Sequence, residues 1–368
     1  MRPTVVEIDL SALAYNIKNI QNRVAPAGIL AVIKANAYGH GALEIGRIAL
    51  ENDVRYFGVA CVEEGIELRQ AGFENPILVF SGINLNQAQL YLQHDLEATL
   101  VDSIGLNHLT QTTKEQQRQA LVQIKVDTGM GRMGISWRDA VPFIEHVAAQ
   151  QRIKINGVYT HFANSDQIDK SFALLQLARF KHILQQLEDK QIHIPLRHSA
   201  NSGAILDLTE SYFDLVRPGI LLYGHYPSDS TSESISVQPV MSFKTRVLAI
   251  KELERGESVS YDRTFIAQQK TRIAALPVGY ADGYPRLLSN SGVVLIRGER
   301  FPIVGRVSMD ISMVDLGLRN DIQVGDPVIL FGRQEQQEVT LESFAAKSQT
   351  VHYEIICGIT GRVPRIYT

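Results

Sequence analysis

The sequence predicts an α/β protein: an N-terminal (βα)8 TIM-type barrel over residues 10–235, followed by a mostly β domain over residues 236–368. Two patterns carry this prediction. Up to about residue 235, short apolar runs alternate about eight times with longer segments of helical periodicity, which suits a closed parallel barrel better than a doubly wound sheet. After residue 236 the chain changes to β-branched runs separated by Gly, Pro and Asp turns, a pattern typical of a β domain.

The barrel elements follow from the apolar runs and from the periodic segments between them. Ser11 is a candidate N-cap for the first helix. The clearest predicted helices are residues 11–24, 62–71 and 169–187. The predicted barrel strands are residues 29–34, 56–60, 76–80, 97–101, 122–127, 155–161, 196–199 and 214–217.

The second domain is predicted from five β-branched runs, at residues 243–250, 272–276, 293–297, 303–307 and 327–331. The serine-rich segment 227–236 is interpreted as the connection between the two domains. Residues 1–9, which are strand-like over 4–8, precede the first barrel helix. This segment is therefore a candidate to pair with the β domain.

Size and composition exclude several classes of protein. A chain of 368 residues accommodates about two domains. A net charge of −3 without a Lys- or Arg-rich run disfavours nucleic-acid binding. No apolar stretch approaches the roughly 20 residues that span a bilayer, and acidic Glu7 and Asp9 stand where a secretion signal is apolar. We expect a cytoplasmic enzyme with no nucleic-acid or membrane partner.

The two cysteines, Cys61 and Cys357, lie far apart in the sequence, each beside apolar residues. We predict that both are buried thiols. Neither has a second cysteine or a histidine nearby at the spacing of a metal site. The sequence therefore predicts no metal.

Five polar side chains fall at or just past the ends of predicted strands: Lys34, Lys125, His161, Ser202 and Arg217. In an open sheet these ends would be spread out. In a closed barrel they meet around one mouth, so residues distant in sequence converge on a single ligand. We therefore expect a binding site at this mouth of the barrel.

Four segments give this site a chemistry. AVIKANAYGHG (residues 31–41) delivers Lys34 from an apolar strand into a turn of small residues, and an amine placed there can form a Schiff base. IKVDTGMGRMG (124–134) carries Arg132, whose guanidinium can hold a carboxylate through two parallel hydrogen bonds. HSANS (198–202) and VRPGI (216–220) follow the seventh and eighth strands, where barrels commonly bind phosphate.

These segments, together with SVSYD (258–262), PVGYADGYPR (277–286) and VGRVSMD (304–310), resemble in order and approximate spacing those of the alanine racemases, a family of pyridoxal 5'-phosphate (PLP) enzymes. The resemblance covers nearly the whole chain. It implies an isomerase that interconverts L-alanine and D-alanine through a PLP aldimine and supplies D-alanine for bacterial cell-wall peptidoglycan.

The resemblance also implies roles around the cofactor. Lys34 resembles the lysine that holds PLP as a Schiff base, Arg217 resembles the partner of the pyridine nitrogen, and His161 resembles its neighbour in the hydrogen-bond network. The remaining implied contacts, to the phosphate and the surrounding pocket, are Tyr38, Asn201, Ser202, Gly219, Ile220 and Tyr353.

On the substrate side, Arg132 resembles the arginine near the cofactor phenolic oxygen and the substrate carboxylate. Lys125 resembles a lysine that is often carbamylated in this family, which gives an anion that orients Arg132. The residues that resemble those contributed by the other subunit, and so imply a homodimer with shared active sites, are Tyr261, Met309 and Asp310. The positions that resemble those lining the substrate entrance are Asp166, Tyr280, Arg286 and Arg306.

Two residues depart from the family pattern. Ser308 stands where many relatives have cysteine, and Asp262 follows Tyr261 where glycine is frequent. Both departures leave the acid-base groups untouched, and the change we expect from them is in pocket size or rate.

Inversion at Cα requires a proton to be removed on one face and returned on the other, and the resemblance assigns Lys34 to D-alanine and Tyr261 to L-alanine. Arg217 agrees with this reaction. Because arginine only donates hydrogen bonds, a pyridine nitrogen facing it remains unprotonated and the cofactor is a weaker electron sink. That favours racemisation over transamination.

Three other functions match part of this pattern. A basic amino-acid decarboxylase shares the barrel plus β-domain plan, but its C-terminal cysteine motif has no counterpart here, and Arg217 argues against a strong electron sink. A single-barrel PLP carrier does not account for the β domain that holds Tyr261. A racemase for serine or another small amino acid stays open, because one methylene or hydroxyl changes discrimination only about 10- to 200-fold. The sequence also leaves open whether the role is biosynthetic or catabolic.

Overall fold

The computed structural model describes residues 2–84 and 86–368, and these fold into two compact units. The first comprises Ala12–Ala37 and Ala42–Gln238. The second comprises the N-terminal residues up to Ser11, Tyr38–Gly41 and Pro239–Thr368. Met1, at the start of the predicted segment 1–9, lies outside the described residues.

The first unit is a closed barrel of parallel strands. Strand β1 (Val5–Ile8) belongs to the second unit, and the barrel contains β2 (Gly28–Val32), β3 (Tyr56–Val59), β4 (Ile77–Val79), β5 (Glu97–Leu100), β6 (Ala120–Asp127) with the short β7 (Ile135–Ser136) beside it, β8 (Ile153–Tyr159), β9 (Leu196–His198) and β10 (Leu215–Val216). The strands pair in the order β2–β3–β4–β5–β6–β8–β9–β10, and β10 pairs with β2 to close the ring. The predicted fold class is confirmed, and each predicted barrel strand ends within two residues of the observed one.

The barrel strands read as nearly continuous apolar runs because they are buried on both faces. Every residue of β3, β4 and β5 is buried. The helices of this part of the chain are Leu10–Val24, Ala42–Glu51, Val62–Gln70, Ala88–Gln93, Ser103–Gln116, Ala140–Ala148, Ser171–Asp189 and Ser202–Asp207, with 3-10 turns at Thr209–Ser211 and Ile220–Tyr223.

The first helix shows how its sequence sets the packing. Leu13, Ile17, Ile20 and Val24 are buried, at the spacing of three and four residues that lines one helical face. The helix begins at Leu10, one residue earlier than predicted, so the prediction that Ser11 is its N-cap is wrong. The Ser11 hydroxyl instead donates to Asp9 Oδ1 at 2.6 Å.

The second unit is mostly β. Its strands are β1, β11 (Met241–Arg246), β12 (Ala249–Leu253), β13 (Ser258–Val259), β14 (Phe265–Ile266), β15 (Thr271–Leu276), β16 (Val293–Ile296), β17 (Glu299–Pro302), β18 (Ser312–Gly317), β19 (Pro327–Gln334), β20 (Gln337–Val339) and β21 (Arg365–Tyr367). The largest sheet has the order β17–β16–β19–β11–β1–β21, with β20 paired to β19. Strand β1 is antiparallel to β11 and parallel to β21. The helical elements are Leu341–Lys347 and His352–Gly358, with 3-10 turns at Tyr261–Arg263, Tyr280–Asp282 and Arg286–Leu288.

Two predicted strands of this unit are wrong in detail. Segment 243–250 contains two strands, β11 and β12, and these belong to different sheets. Segment 303–307 is a turn in which only Ile303 forms an isolated bridge, to Val314. Gly305 has φ +71°, and a Cβ on it would lie 2.8 Å from the carbonyl oxygen of Val259, so the chain turns at the point where a strand was predicted.

The prediction that both cysteines are buried thiols is wrong. Cys61 is half-buried, whereas Cys357 is exposed on the helix His352–Gly358. The apolar neighbours Ile355 and Ile356 occupy the buried face instead.

Within residues 2–84 and 86–368, no helix combines the length and apolar character needed to cross a membrane. Among these same residues, no three His, Cys, Asp or Glu side chains form a group that could hold a metal ion.

Candidate active site

Lys34 lies at the mouth of the barrel on a left-handed turn. Strand β2 ends at Val32, and residues 35–38 all have φ between +52° and +53°. Left-handed helical backbone costs an L-residue about 1–2 kcal/mol, so a run of four such residues persists only where other contacts hold it. Lys34 itself is partly exposed.

The contacts that hold this turn come from Glu64. One carboxylate oxygen accepts a hydrogen bond from Ala35 N at 2.6 Å, and the other accepts one from Ala60 N at 2.7 Å. The side chain of Asn36 accepts a further bond from Ala42 N at 2.8 Å. Glu64 therefore ties the turn after β2 to the turn after β3, and sequence reasoning had given it no role.

Arg217 follows β10 and is buried at the same mouth. Its guanidinium donates to His198 Nδ1 at 2.7 Å, to Thr160 O at 2.6 Å and to Ser199 O at 3.0 Å. A longer contact of 3.3 Å reaches His161 Nδ1. Burial lowers the pKa of Arg217 to about 10, so the side chain is still a cation and a donor at neutral pH.

A polar chain inside the barrel continues from Arg217. Because arginine only donates, His198 accepts at Nδ1, and its Nε2–H donates to Gln123 Oε1 at 2.5 Å. The Gln123 amide donates in turn to Glu97 at 2.9 Å and to the Tyr56 hydroxyl at 2.7 Å. The direction of every bond in this chain is thus set by Arg217 at one end and by the Glu97 carboxylate at the other.

The aromatic ring of Tyr159 lies close to the cationic side chains of Arg217 and Lys125. Its ring stacks on His198 with centroids 4.8 Å apart. Arg217 Cζ lies 5.3 Å from the ring centroid, and Lys125 Nζ lies 5.9 Å from it, distances at which an aromatic face attracts a cation. Four side chains that the sequence did not single out as site residues contact the groups of this mouth: Glu64, Gln123, Tyr159 and His198.

Lys125 is buried near the end of β6. Burial, followed by the positive charges of Arg132 and Arg217, lowers the pKa of its amine to about 8. The same causes act on His161, whose pKa lies well below its ordinary value because of burial and the charge of Arg217. His161 is therefore neutral at pH 7, and Lys125 has an appreciable neutral fraction there.

Arg132 projects from a loop built around Asp127. The Asp127 carboxylate accepts hydrogen bonds from Gly129 N at 2.9 Å and from Gly131 N at 2.9 Å. Gly131 has φ +68°, and Gly134 has φ +126° with no room for a Cβ, which would lie 2.9 Å from Lys125 O. The glycines of the predicted loop thus let the backbone turn back on β6, while Arg132 stays exposed.

Two further turns meet at Ser202. Its hydroxyl accepts hydrogen bonds from Gly219 N at 3.0 Å and from Leu221 N at 3.3 Å, which joins the turn after β9 to the start of the 3-10 turn Ile220–Tyr223. Asn201 caps the helix Ser202–Asp207 by accepting from Ala204 N at 3.1 Å. Asn201 Oδ1 also accepts from the Ser165 hydroxyl at 2.7 Å, next to the predicted entrance residue Asp166.

Tyr38 lies in the second unit against Tyr353, with ring centroids 6.1 Å apart. Tyr38 is buried, and burial raises its pKa above the ordinary range. A Cβ on Gly39 would lie 2.3 Å from Ile356 O, so only glycine permits the close approach to the helix His352–Gly358. This explains one of the glycines in the lysine motif.

Tyr261 occupies a strained and exposed turn of the second unit, with 70% of its surface accessible. Ser260 has φ +64° and ψ −173°, Asp262 has φ +62° and Arg263 has φ +49°. Such backbone costs about 1–3 kcal/mol for each non-glycine residue and persists only when the surroundings impose it. The Ser260 hydroxyl donates to Arg306 O at 2.6 Å, and Arg306 Nε pairs with Asp262 at 3.3 Å.

Asp262, one of the two departures from the family pattern, has a φ of +62°, a conformation that glycine adopts without steric cost. Ser308, the other departure, donates its hydroxyl to Ile311 O at 2.7 Å and accepts from Ile311 N at 3.1 Å, so its side chain closes its own turn. Met309 and Asp310 in that turn are exposed, as are Tyr280 and Arg286.

The predicted site residues thus divide between the two units. The barrel unit holds Lys34, Lys125, Arg132, His161, Asp166, Asn201, Ser202, Arg217, Gly219 and Ile220, and the second unit holds Tyr38, Tyr261, Tyr280, Arg286, Arg306, Met309, Asp310 and Tyr353. Within the barrel unit, the chemistry is that of a buried cationic mouth with two neutral imidazoles, His161 and His198, and a lysine amine at its edge.

Comparison with known proteins identifies the family to which this chain belongs. The model of the alanine racemase N-terminal domain matches residues 8–227, and that of the C-terminal domain matches residues 240–367. An alanine racemase of Halothermothrix orenii is 44% identical over all of this chain and 97% of its own length. Alanine racemase 2 of Caldanaerobacter subterraneus subsp. tengcongensis is 43% identical, over 100% and 95%.

A solved structure of alanine racemase from Clostridium difficile 630 superposes with a TM-score of 0.95 at 36% identity, covering 100% of this chain and 96% of that one. The chain belongs to the alanine racemase family. The resemblance inferred from the sequence is confirmed, and with it the class of enzyme, an isomerase.

Proposed function

We infer that this protein interconverts L-alanine and D-alanine. The observation that carries the inference is Lys34, presented on a left-handed turn at the mouth that also contains the buried cation Arg217 and the neutral His161. An amine at such a mouth is suited to hold a carbonyl cofactor and to exchange a proton at a neighbouring carbon.

The residues of the barrel mouth fit PLP. Lys34 offers the amine for covalent attachment, and Arg217 offers a donor that remains charged at neutral pH. Ser202 accepts two backbone N–H groups, so its own proton is left to donate, as a phosphate requires. The other residues that we assign to the phosphate and pocket, on the family resemblance, are Tyr38, Asn201, Gly219, Ile220 and Tyr353. When bound, PLP acidifies the Cα proton of an amino acid by withdrawing electrons from that carbon.

The protein's own groups then move that proton. We assign Lys34 to the proton of D-alanine and Tyr261 to that of L-alanine, because inversion needs groups on opposite faces of Cα. His161, kept neutral by burial and by the charge of Arg217, can accept or donate a hydrogen bond without adding a charge to the site. Arg132 is assigned to the substrate carboxylate. Met309 and Asp310 are proposed as further substrate contacts, and Asp166, Tyr280, Arg286 and Arg306 are proposed to line the entrance.

We propose that two copies of the chain share their sites, so that Tyr261 of one protomer serves the barrel of its partner. Tyr261 and Met309 support this assignment, since both are large and more than half exposed in the single chain. A carbamate on Lys125 also belongs to the proposal. Its amine, with a pKa of about 8, has the neutral fraction that reacts with carbon dioxide, and the product would be an anion facing Arg132.

The proposed setting is the cytoplasm, where the product D-alanine would serve cell-wall peptidoglycan. The direct test is circular dichroism of the purified protein with L-alanine, preceded by an absorbance spectrum. We expect a coloured protein that removes the optical signal of L-alanine completely and that of L-serine more slowly. A coloured protein that leaves the signal unchanged would refute racemisation, and a colourless one that removes it would refute the cofactor.

We call the two hydrogen bonds that the Glu64 carboxylate accepts, from Ala35 N and Ala60 N, the Glu64 clamp. This clamp gives a second prediction. In Glu64→Gln one carboxylate oxygen is replaced by an NH2 group that faces a backbone N–H donor, so one of the two clamp bonds is lost. We expect racemisation to fall about 10- to 100-fold, since small misplacements of a reacting group cost this much, and the free energy of unfolding to fall by about 1–3 kcal/mol. The measurements are kcat/KM and urea unfolding.

Glu63→Gln provides the matched control, because Glu63 is exposed on the same helix, where it accepts a hydrogen bond from Gln87 Nε2 at 3.2 Å and has no bond to the turn 35–38 among those of the described residues. It should leave both quantities unchanged. Equal losses in the two variants would show that the clamp has no specific part in placing Lys34.

A further inference from the structure

The second unit contains an ionic chain that ends on the turn assigned to the substrate. Asp282 is completely buried. Its Oδ2 accepts from Arg2 Nη2 at 2.6 Å, and its Oδ1 contacts Arg2 Nη1. Arg362 Nε lies 3.4 Å from Asp282 Oδ1, and Arg362 Nη2 donates to Asp310 Oδ1 at 2.7 Å. One buried carboxylate thus links the extreme N-terminus to an exposed acid of the site.

Asp282 also organises the backbone on which the substrate turn rests. Its Oδ2 accepts from Gly279 N at 3.1 Å, and Asp282 N donates back to Gly279 O at 3.0 Å. The two residues between them then donate outward: Tyr280 N to Ser308 O and Ala281 N to Met309 O, both at 3.1 Å.

Gly279 shows how close this contact is. A Cβ there would lie 2.3 Å from both Ser308 O and Met309 O. Segment 360–362 docks on the same turn, since Thr360 Oγ1 donates to Ala281 O at 2.9 Å, and this brings Arg362 to Asp310. Residues 308, 309 and 310 are therefore each fixed by a contact that begins at Asp282.

We propose that Asp282 and Arg362 are positioning residues for racemisation: together with Arg2 they hold Met309 and Asp310 in place for the substrate. The proposal rests on the function proposed above. Arg362 and Asp310 are about half exposed, at 47% and 55% of their side-chain surfaces, and exposed pairs contribute little to stability. Their pairing therefore matters for where Asp310 lies more than for whether the unit folds.

The test compares Arg362→Gln with wild-type holoenzyme. We expect kcat/KM for alanine to fall about 10- to 100-fold, with the thermal midpoint lower by less than about 4 °C. We also expect amide hydrogen exchange of Tyr280, Ala281 and Ser308, whose N–H groups make the backbone bonds of this turn, to become faster. Arg362→Lys keeps the charge but not the fork that reaches both carboxylates, and it should recover only part of the activity. Arg2→Gln should act in the same direction, with a larger loss of stability because Asp282 is buried.

Arg333→Gln is the matched control. Arg333 is an exposed arginine of the same unit, paired with Glu338 at 3.1 Å, and its replacement should change neither exchange nor kcat/KM. Unchanged exchange in Arg362→Gln would overturn the anchoring role, and faster exchange with wild-type kcat/KM would overturn positioning. A wild-type protein that does not racemise alanine would refute the proposed function instead, and the exchange comparison would still decide whether Arg362 fixes the turn.

Discussion

Replacing Lys34 with alanine is expected to abolish racemisation in both directions and to remove the visible absorbance of bound PLP. The amine of Lys34 is proposed both to hold the cofactor and to exchange the proton of D-alanine, so its loss removes attachment and a base together. General acid-base placement alone contributes about 10²- to 10⁴-fold, and we expect kcat/KM to fall by more than about 10⁴-fold. Absorbance spectra and circular dichroism with each enantiomer measure the two losses.

Two other lysines serve as controls for this experiment. Lys18 is exposed on the helix Leu10–Val24, and Lys18→Ala should leave absorbance and rate unchanged. Lys125→Ala removes the second amine of the barrel mouth, and it should retain the absorbance while losing activity, because Lys125 is proposed to orient Arg132. A Lys34→Ala protein that is still coloured and active would transfer the cofactor role to another amine, and a colourless Lys125→Ala protein would identify that amine.

The lysine motif shows where sequence reasoning succeeded and where it stopped. The apolar strand before Lys34 and the turn after it were predictable, because β-strand length and small polar residues are local signals. The left-handed run 35–38 was not. Alanine and tyrosine do not favour positive φ, and the conformation depends on Glu64, nearly thirty positions further along the chain.

The polar chain inside the barrel was missed for a similar reason. Gln123 and Glu97 lie within strands that read as buried, and a single polar residue in such a strand does not reveal its partner. The partners His198 and Arg217 come from other strands. Only closure of the barrel brings these residues to one line, so the chain follows from the fold and not from any local motif.

Asp282 makes a contact with a residue that is very distant in the sequence. Its segment, PVGYADGYPR, was predicted to line the entrance through Tyr280 and Arg286, while Asp282 itself reads as an ordinary turn residue. Its principal partner is Arg2, 280 positions away. No spacing rule connects two such positions, although an acid in a turn that is flanked by apolar strands is a signal that a buried ion pair should be sought.

Replacing Tyr261 with phenylalanine is expected to slow exchange of the L-alanine proton far more than exchange of the D-alanine proton. The ring is kept and only the hydroxyl is lost, so the turn Tyr261–Arg263 should retain its shape. If the hydroxyl acts on one face of Cα and Lys34 on the other, removal costs about 10²- to 10⁴-fold on one side only. Solvent deuterium incorporation into each enantiomer, measured in a single turnover, separates the two faces.

The structure makes this a clean substitution. Tyr261 is 70% exposed in the single chain, so loss of its hydroxyl should not change the free energy of unfolding. The orientation of the Tyr261 side chain is set by the backbone, through the positive φ values of Ser260 and Asp262 and the hydrogen bond from the Ser260 hydroxyl to Arg306 O. Tyr280→Phe is the matched control, since Tyr280 is also an exposed tyrosine of this unit but is assigned only to the entrance; it should slow both enantiomers equally. An equal loss for both enantiomers in Tyr261→Phe would contradict a base on each face and leave Lys34 as the only proton carrier.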